Sequence, residues 1–316
     1  MKTLLVLIFV PSVLFGQRQL FLHLTPKFGS SDLVLNQSYS FIGQGDIKID
    51  HFNYYLSEIA IQHDGGQQLL IYDTVFLIKP DNYVLFLGER NVDIIERIDF
   101  TIGVPKSLNT QTGSQAIDIS LYPENHPLSF QDPSMYWGWQ GGYMHMITGG
   151  YVDTDSNGDF ETYFELHNLG DNNQQPVGLP VVSTSTSENQ RDVYLECHWN
   201  QWLSNVPLSL VGSSHGEVGI NKTVLENVNQ YPVFVQPTAA SLTNLEPQIF
   251  VSVEPNSVKL ELTTEVQAAS LSNLAGQVLT SSTQGNRLEW NKLTSGVYVL
   301  QWNNQKTQGS KRIFVP

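Results

Sequence analysis

Cysteine is nearly absent from this chain, and positive charge is scarce. With Cys197 as the one thiol, the chain can form no internal disulfide, so its stability has to come from burial and hydrogen bonding. Only 16 Lys and Arg residues stand against 30 Asp and Glu residues, which gives a formal net charge of −14. Phosphate recognition needs clustered cations, so this balance disfavours nucleic acid and anionic membranes as partners and favours cations as ligands.

Long apolar runs and catalytic motifs are missing as well. The apolar run at residues 4–14 follows Lys2 and precedes Gly16, and it is too short to span a bilayer. This pattern predicts a signal peptide over residues 1–16 and no transmembrane segment after its cleavage. The chain also lacks a nucleophile elbow, a zinc-protease motif and a phosphate-binding glycine loop. We therefore expect an exported protein that is not an enzyme.

Helical periodicity is rare, and segments typical of β-strands take its place. Alternating or β-branched runs separated by turn residues indicate an antiparallel sandwich or barrel. The predicted strands include residues 20–24, 52–61, 69–78, 98–104, 143–151, 160–166 and 193–197. Short helices are predicted at residues 92–97 and at 221–229, where Asn221 is the expected N-cap. The prediction is an all-β protein whose main domain, residues 17–235, is an antiparallel β-sandwich-like structure.

A second, smaller β unit is predicted after a linker at residues 236–249. Its start and end carry Val253-Glu254-Pro255-Asn256, Leu293-Thr294-Ser295-Gly296-Val297-Tyr298 and Lys311-Arg312-Ile313-Phe314-Val315. These segments resemble the C-terminal sorting domain of type IX secretion cargo. The resemblance implies a small β-sandwich sorting domain over residues 250–316, handled by the type IX secretion machinery. It also implies a protein that is secreted or attached to the outer surface of a Gram-negative bacterium.

The central segment combines tryptophan, methionine and histidine. Trp137 and Trp139 lie close before His145, and a loop of turn-forming residues separates His145 from His167. A hairpin symmetric about Ser156 places His145 opposite His167, where Cβ atoms about 4.5–5.5 Å apart let both imidazoles reach one ion. Imidazole and thioether groups together favour copper. We therefore predict copper ligation by His145 and His167, with ordinary core packing of the tryptophans as the alternative.

Several motifs in the main domain resemble one family. They include Leu22-His23-Leu24, Asn125-His126-Pro127-Leu128, Met135 to Tyr143 with its paired tryptophans, and His167-Asn168-Leu169-Gly170. These motifs resemble the MbnP family of exported copper-binding proteins. The resemblance implies His126 and His23 as further candidate copper ligands. It also implies that a partner di-haem enzyme of the cytochrome c peroxidase type oxidises Trp137 or Trp139 to kynurenine, whose amine offers a lone pair that an indole N–H lacks.

The acidic loop between the two histidines has a second interpretation. Asp153, Asp155, Asn157 and Asp159 alternate as oxygen ligands do in a calcium loop, although Phe164 replaces the glutamate expected at the twelfth position. A plain acidic hairpin turn is favoured, and calcium is the alternative.

The remaining histidines are expected to be structural or exposed. His51 and His63 are expected at the surface or at strand ends, and His215 in an exposed loop. The predicted function is exported copper binding for acquisition, buffering or sensing. The alternative is a metal-free surface module that recognises glycan or protein through exposed tryptophans.

Overall fold

The computed structural model divides the chain into two compact units, Met1–Pro237 and Thr238–Pro316. It describes residues 16–109, 118–138, 141–237, 249–254, 256–262, 268–273, 277–279, 282–284, 287–303 and 308–315. Three sequence-based expectations lie outside the described residues: the signal peptide apart from Gly16, residues 238–248 of the linker, and Trp139. Among the described residues, no helix has the length and apolar character needed to cross a membrane.

Strands dominate the first unit. They are β1 (Arg18–Phe28), β2 (Ser31–Asp32), β3 (Tyr39–Phe41), β4 (Gly45–His63), β5 (Gln67–Ile78), β6 (Val84–Arg90), β7 (Ile95–Ile102), β8 (Tyr136–Gly138), β9 (Gly142–Tyr143), β10 (Met146–Asp153), β11 (Thr162–Asn168), β12 (Gln175–Pro180), β13 (Thr184–Ser187), β14 (Gln190–His198), β15 (Gly212–Gly216) and β16 (Phe234–Val235). The α-helices are α1 (Trp199–Trp202), α2 (Leu208–Val211) and α3 (Ile220–Gln230), and 3-10 turns lie at Lys106–Leu108, Ile119–Leu121 and Asp171–Asn173.

These strands form two mixed sheets. The first runs β13-β14-β1-β2, with β16 beside β14 and β6 beside β1. The second runs β12-β7-β4-β10-β11-β15, with β3 and β5 beside β4, and β8 pairs with β9 in a separate hairpin. The expected all-β class is confirmed. The pairing is not purely antiparallel, however, because β1 lies parallel to β14 and β11 lies parallel to β15.

One hydrophobic cluster joins the two sheets. Leu22 and Leu195 from the first sheet and Phe164 from the second belong to it, each at most 1% exposed. Trp202 from α1 is completely buried in the same cluster, with its ring 4.9 Å from that of Tyr54. Aromatic burial on this scale is a large part of a domain's stability, which suits a chain that has no disulfide.

A smaller cluster supports the β8–β9 hairpin. Tyr143, completely buried, donates from its hydroxyl to the Leu128 carbonyl at 2.6 Å, and its backbone N–H donates to Asn109 Oδ1 at 2.7 Å. Met144 and Ile147 pack in the same cluster. The β8–β9 hairpin is therefore anchored by buried contacts at Tyr143.

The two helix predictions have different outcomes. Residues 221–229 lie within α3, but its N-cap is Gly219 instead of Asn221. The helix expected at residues 92–97 is wrong, because β7 already begins at Ile95. Ile95 and Ile98 are both buried on the strand, so tertiary packing overrides the weak local helix preference.

The second unit is also built from strands. They are β17 (Ile249–Glu254), β18 (Ser257–Leu262), β19 (Ala268–Asn273), β20 (Val278–Leu279), β21 (Ser282–Gln284), β22 (Arg287–Asn291), β23 (Gly296–Asn303) and β24 (Gln308–Val315). They form two sheets, β17-β18-β22-β21 and β20-β19-β23-β24. Val258 and Trp290 of one sheet share a buried cluster with Leu300 and Ile313 of the other, as expected for a small β-sandwich.

Candidate metal centre

Four neighbouring strands of the second sheet, β4, β10, β11 and β15, bring histidine and glutamate side chains to one face. Gly149 of β10 lies opposite His51 of β4 on one side and opposite Glu165 of β11 on the other. One row further along, His167 of β11 lies opposite His215 of β15. Since directly paired residues project to the same face of a sheet, and residues two apart on a strand do so too, all four side chains share that face.

Gly149 leaves room for His51 and Glu165 to meet. A Cβ atom at this position would collide with the imidazole of His51, and it would lie 2.7 Å from Glu165 Oε2 and 3.1 Å from the Phe164 carbonyl oxygen. Because glycine has no such atom, the two side chains cross the strand that separates them. Glycine is required here for close approach of neighbours, not for a turn.

Glu165 is the centre of a hydrogen-bond network. Its Oε1 accepts from His51 Nε2 at 3.1 Å and from His167 Nε2 at 2.6 Å, while Tyr163 donates its hydroxyl to Oε2. Burial opposes ionisation of this carboxyl, but the hydrogen bonds from His167 and His51 outweigh burial and lower its pKa to about 2. Glu165 is therefore a carboxylate at neutral pH, and it accepts every one of these bonds.

His51 lies between two carboxylates. Its Nδ1 is 2.6 Å from Asp50 Oδ1, on the side of the ring opposite Glu165. Burial opposes protonation of the imidazole, yet the hydrogen bonds and charges of Glu165 and Asp50 raise the pKa of His51 above its usual value. Both ring nitrogens of His51 are thus already engaged.

Trp137 closes the cluster from the β8–β9 hairpin. Its ring stacks on His215 with centroids 4.7 Å apart and meets His167 at 5.5 Å, tilted by 60°. The side chain remains 43% exposed. Beside it is an open cleft of about 580 Å³, lined by His51, Pro133, Ser134, Tyr136, Trp137, Met144, Glu165 and His167.

One nitrogen of His167 is available to a ligand. Within the described part of the chain, His167 Nδ1 is buried and has no hydrogen-bond partner, although buried polar atoms are nearly always paired. Imidazole nitrogen suits copper and zinc, and the thioether of Met144 in the same cleft adds a soft donor that favours cuprous copper. The types of donor suit a copper ion, but among the described residues the three-ligand group whose atoms converge within 4.8 Å is Asp153, Asp155 and Glu161.

Comparison with known proteins assigns both units of the chain to known families. Residues 17–219 match the MbnP family profile, and residues 254–316 match the secretion system C-terminal sorting domain. The chain belongs to the MbnP family. Among solved structures it is similar to MbnP from Methylosinus trichosporium, with 12% identity and a TM-score of 0.44, over 65% of this chain and 83% of that one. No curated protein matches.

The two family matches establish what kind of protein this is. The MbnP match makes the main unit copper-related. The sorting domain marks the protein for handling by the secretion system and for release or attachment at the cell surface. The MbnP profile begins at residue 17, before the first strand, and ends before α3, so it includes every residue of the His51–Trp137–Glu165–His167–His215 cluster.

The expected pairing of His145 with His167 is wrong. Ile147 lies opposite His167, and Val152 lies opposite Thr162, so the hairpin is centred on Asn157 instead of Ser156. The sequence offers turn formers on both sides of either centre, and the register is set by packing of β10 and β11 into the sheet.

His145 has a structural position in this MbnP domain. It is completely buried, Val104 N–H donates to its Nδ1 at 3.2 Å, and its Nε2 donates to the Gly170 carbonyl at 2.9 Å. Burial lowers the pKa of its imidazole, although the Gly170 contact and the charge of Asp171 oppose this. With both nitrogens bonded to backbone groups, His145 connects two loops and offers no free atom to a metal.

His126 and His23 lie apart from the cleft. His126 stacks on Tyr122 with centroids 4.3 Å apart, and its Nδ1 accepts from Leu128 N–H at 3.1 Å. Burial lowers the pKa of His126. His23, 3% exposed, has its Nε2 2.8 Å from Asp192 Oδ1 in the first sheet. Neither belongs to the set of residues that lines the cleft around Trp137.

The acidic loop is a tight turn. Asp153 accepts from the N–H groups of Asn157 at 3.2 Å and Gly158 at 2.8 Å, and Asn157 Oδ1 accepts from Asp159 N–H at 2.7 Å. Oxygen atoms of Asp153, Asp155 and Glu161 lie within 4.8 Å of one another, so calcium binding stays a prediction. The turn bonds already explain the residue types.

His51, His215 and Glu165 are the members of the cluster that the sequence did not assign to it. His215 is exposed, as expected, but it lies on β15 against Trp137. The sequence signal that could have pointed to His51 is Gly149-Gly150 in a buried strand, since glycine inside a strand indicates close approach of a neighbour. The parallel pairing that brings His215 to His167 has no local sequence signal.

Proposed function

We propose that this MbnP domain binds one copper ion at the cluster beside Trp137, and that His167 and His215 supply imidazole ligands. The observation that carries the proposal is His167 Nδ1, a buried nitrogen beside Trp137 and His215 that has no hydrogen-bond partner among the described residues. Met144 and His51 line the same space. This ligand set replaces the pair His145 and His167 that the sequence suggested.

Trp137 is the favoured site of oxidation to kynurenine. Its ring contacts both candidate ligands, and it is 43% exposed, so an enzyme can reach it. Opening the indole ring converts an N–H that can only donate into an aromatic amine with a lone pair. A partner di-haem peroxidase is the proposed catalyst: with peroxide as the oxidant, the indole C2–C3 bond is cleaved, C3 becomes a ketone and C2 leaves as formate. Peptide mass spectrometry of protein from the native source, with and without this enzyme, would show whether Trp137 carries kynurenine.

The proposed role is binding without catalysis, in acquisition, buffering or sensing of copper outside the cell. The acidic chain and the open cleft suit cation entry. Purified protein should retain copper near stoichiometrically after dialysis, and H167A and H215A should lose it. H198A is the matched control, because His198 also pairs with a glutamate two residues away, at 3.1 Å, but in the first sheet. Wild-type protein that retains no copper, or equal loss in H198A, contradicts the proposal.

A second candidate is a metal-free surface module that stacks glycan on Trp137. The exposed indole above a cleft of about 580 Å³ favours it, since aromatic rings stack on apolar sugar faces. Glycan-array binding that survives chelation and disappears in W137A would support this function over copper binding.

A further inference from the structure

In the described part of the chain, two Glu-x-His pairs lie on β-strands, and only one of them borders the cleft. Glu165 and His167 on β11 are 2.6 Å apart through Oε1 and Nε2. Glu196 and His198 on β14 are 3.1 Å apart through Oε2 and Nε2. The histidine side chains are similarly exposed, at 21% and 19%. The two pairs differ in the hydrogen-bond partners of the glutamate and in the surroundings of the histidine Nδ1 atom.

A carboxylate at Nε2 fixes the protonation of a neutral imidazole. The carboxylate can only accept, so the single ring proton must lie on Nε2, and the lone pair is then on Nδ1. At His167 this is the buried nitrogen for which the described segments provide no hydrogen-bond partner. We infer that Glu165 is a positioning residue which holds His167 as the Nε2–H tautomer and so presents Nδ1 as the coordinating atom. The inference rests on the proposed copper function.

Glu165 is itself held in place from several directions. His51 Nε2 donates to Oε1 at 3.1 Å, and the Tyr163 hydroxyl donates to Oε2. Asp50 in turn holds the far nitrogen of His51 at 2.6 Å. A carboxylate with these donors cannot rotate away from His167 without losing several bonds. Its side chain is only 11% exposed, so water replaces those bonds poorly.

His51 therefore has a structural role at the site. Both of its ring nitrogens bind carboxylates, so it acts as a brace for Glu165 and leaves coordination to His167 and His215. A carboxylate behind a metal-binding histidine orients the ring and raises its basicity, and loss of such a partner typically weakens metal binding about 10- to 100-fold.

The test compares E165Q and E165A in the full chain. Glutamine keeps an oxygen that accepts from Nε2, whereas alanine removes the acceptor. Two-bond 1H–15N NMR of histidine-labelled apoprotein reports the tautomer, and the His167 signals are assigned by their loss in H167Q. Competition with a cuprous chelator reports affinity. E196A is the matched control, since it removes the other Glu-x-His contact.

The expected result is an Nε2–H tautomer of His167 in the wild type and in E165Q, and a mixture of tautomers in E165A. Copper affinity should fall about 10- to 100-fold in E165A, with substantial rescue in E165Q and no change in E196A. An Nδ1–H tautomer in the wild-type apoprotein overturns the inference even if copper binds, and this measurement requires only that the assignment variant H167Q folds. Unchanged affinity in folded E165A also overturns it. A wild-type protein that binds no copper refutes the proposed function instead.

Discussion

Substitution of Gly149 by alanine tests whether the space beneath the cluster matters. The added methyl group would lie 2.7 Å from Glu165 Oε2 and would overlap His51, whereas unstrained carbon contacts are about 3.5–4.0 Å. The two side chains must therefore separate by about 1 Å. The His51–Glu165 hydrogen bond, 3.1 Å long, would then be lost.

The size of the effect follows from opposing contributions. A hydrogen bond to a charged group contributes about 1.5–3 kcal/mol. Replacement of glycine by alanine raises the free energy of unfolding by about 0.4–1 kcal/mol where the native backbone conformation permits alanine, because the unfolded chain then has less conformational entropy. We therefore expect G149A to lower the free energy of unfolding by about 0.5–2.6 kcal/mol, which leaves the domain folded. Copper affinity should fall about tenfold or more, because the brace on Glu165 is lost.

Urea unfolding measures the change in the free energy of unfolding, and competition with a chelator measures the change in copper affinity. G178A is the control variant. A Cβ at Gly178 of β12 would meet the Arg97–Asp99 pair instead. That pair is 40% and 39% exposed, so it can move, and exposed ion pairs contribute at most about 1 kcal/mol. Copper binding in G178A should match the wild type. If folded G149A binds copper as tightly as the wild type, the argument for the His51–Glu165 brace is refuted.

Three further outcomes are expected. Burial raises the pKa of the Cys197 thiol, so iodoacetamide should modify it only when urea unfolds the protein, and rapid labelling of the native chain would contradict its burial. Burial lowers the pKa of His145 below 6.5, so as pH falls from 7 this histidine binds a proton in the unfolded chain before it does so in the folded one. The free energy of unfolding should therefore fall with pH, by at most about 1.4 kcal/mol per pH unit. H145Q, which can bond Val104 and Gly170 in the same way, should show a flatter pH dependence in urea titrations at pH 5 to 7. W202A should lower the free energy of unfolding by about 3–5 kcal/mol, and an unchanged melting temperature would show that this indole is not part of the core.

Local sequence patterns predicted the strands well where apolar and β-branched residues are concentrated in a single segment. The segment predicted at residues 52–61 lies inside β4, whose core-facing residues include Phe52 and Ile61. Long-range pairing could not be predicted in the same way. β1 lies parallel to β14, which is far from it in sequence, and no local period distinguishes a parallel from an antiparallel neighbour.

The site was predictable only in part for the same reason. Trp137 and His167 could be found because unusual residue types are concentrated around them. His145 was misassigned because a two-residue change in pairing moves a side chain from a ligand position into a loop contact. His51 and His215 reach the cluster through β4 and β15, and each looks like an ordinary surface histidine in its own segment.

The cluster draws on four stretches of chain, at β4, the β8–β9 hairpin, β11 and β15. Before the sheet forms, nothing holds these imidazoles beside one another. A cation captured by the assembled face stabilises the native state alone, by mass action. Binding at the proposed copper site is therefore coupled to completion of the fold.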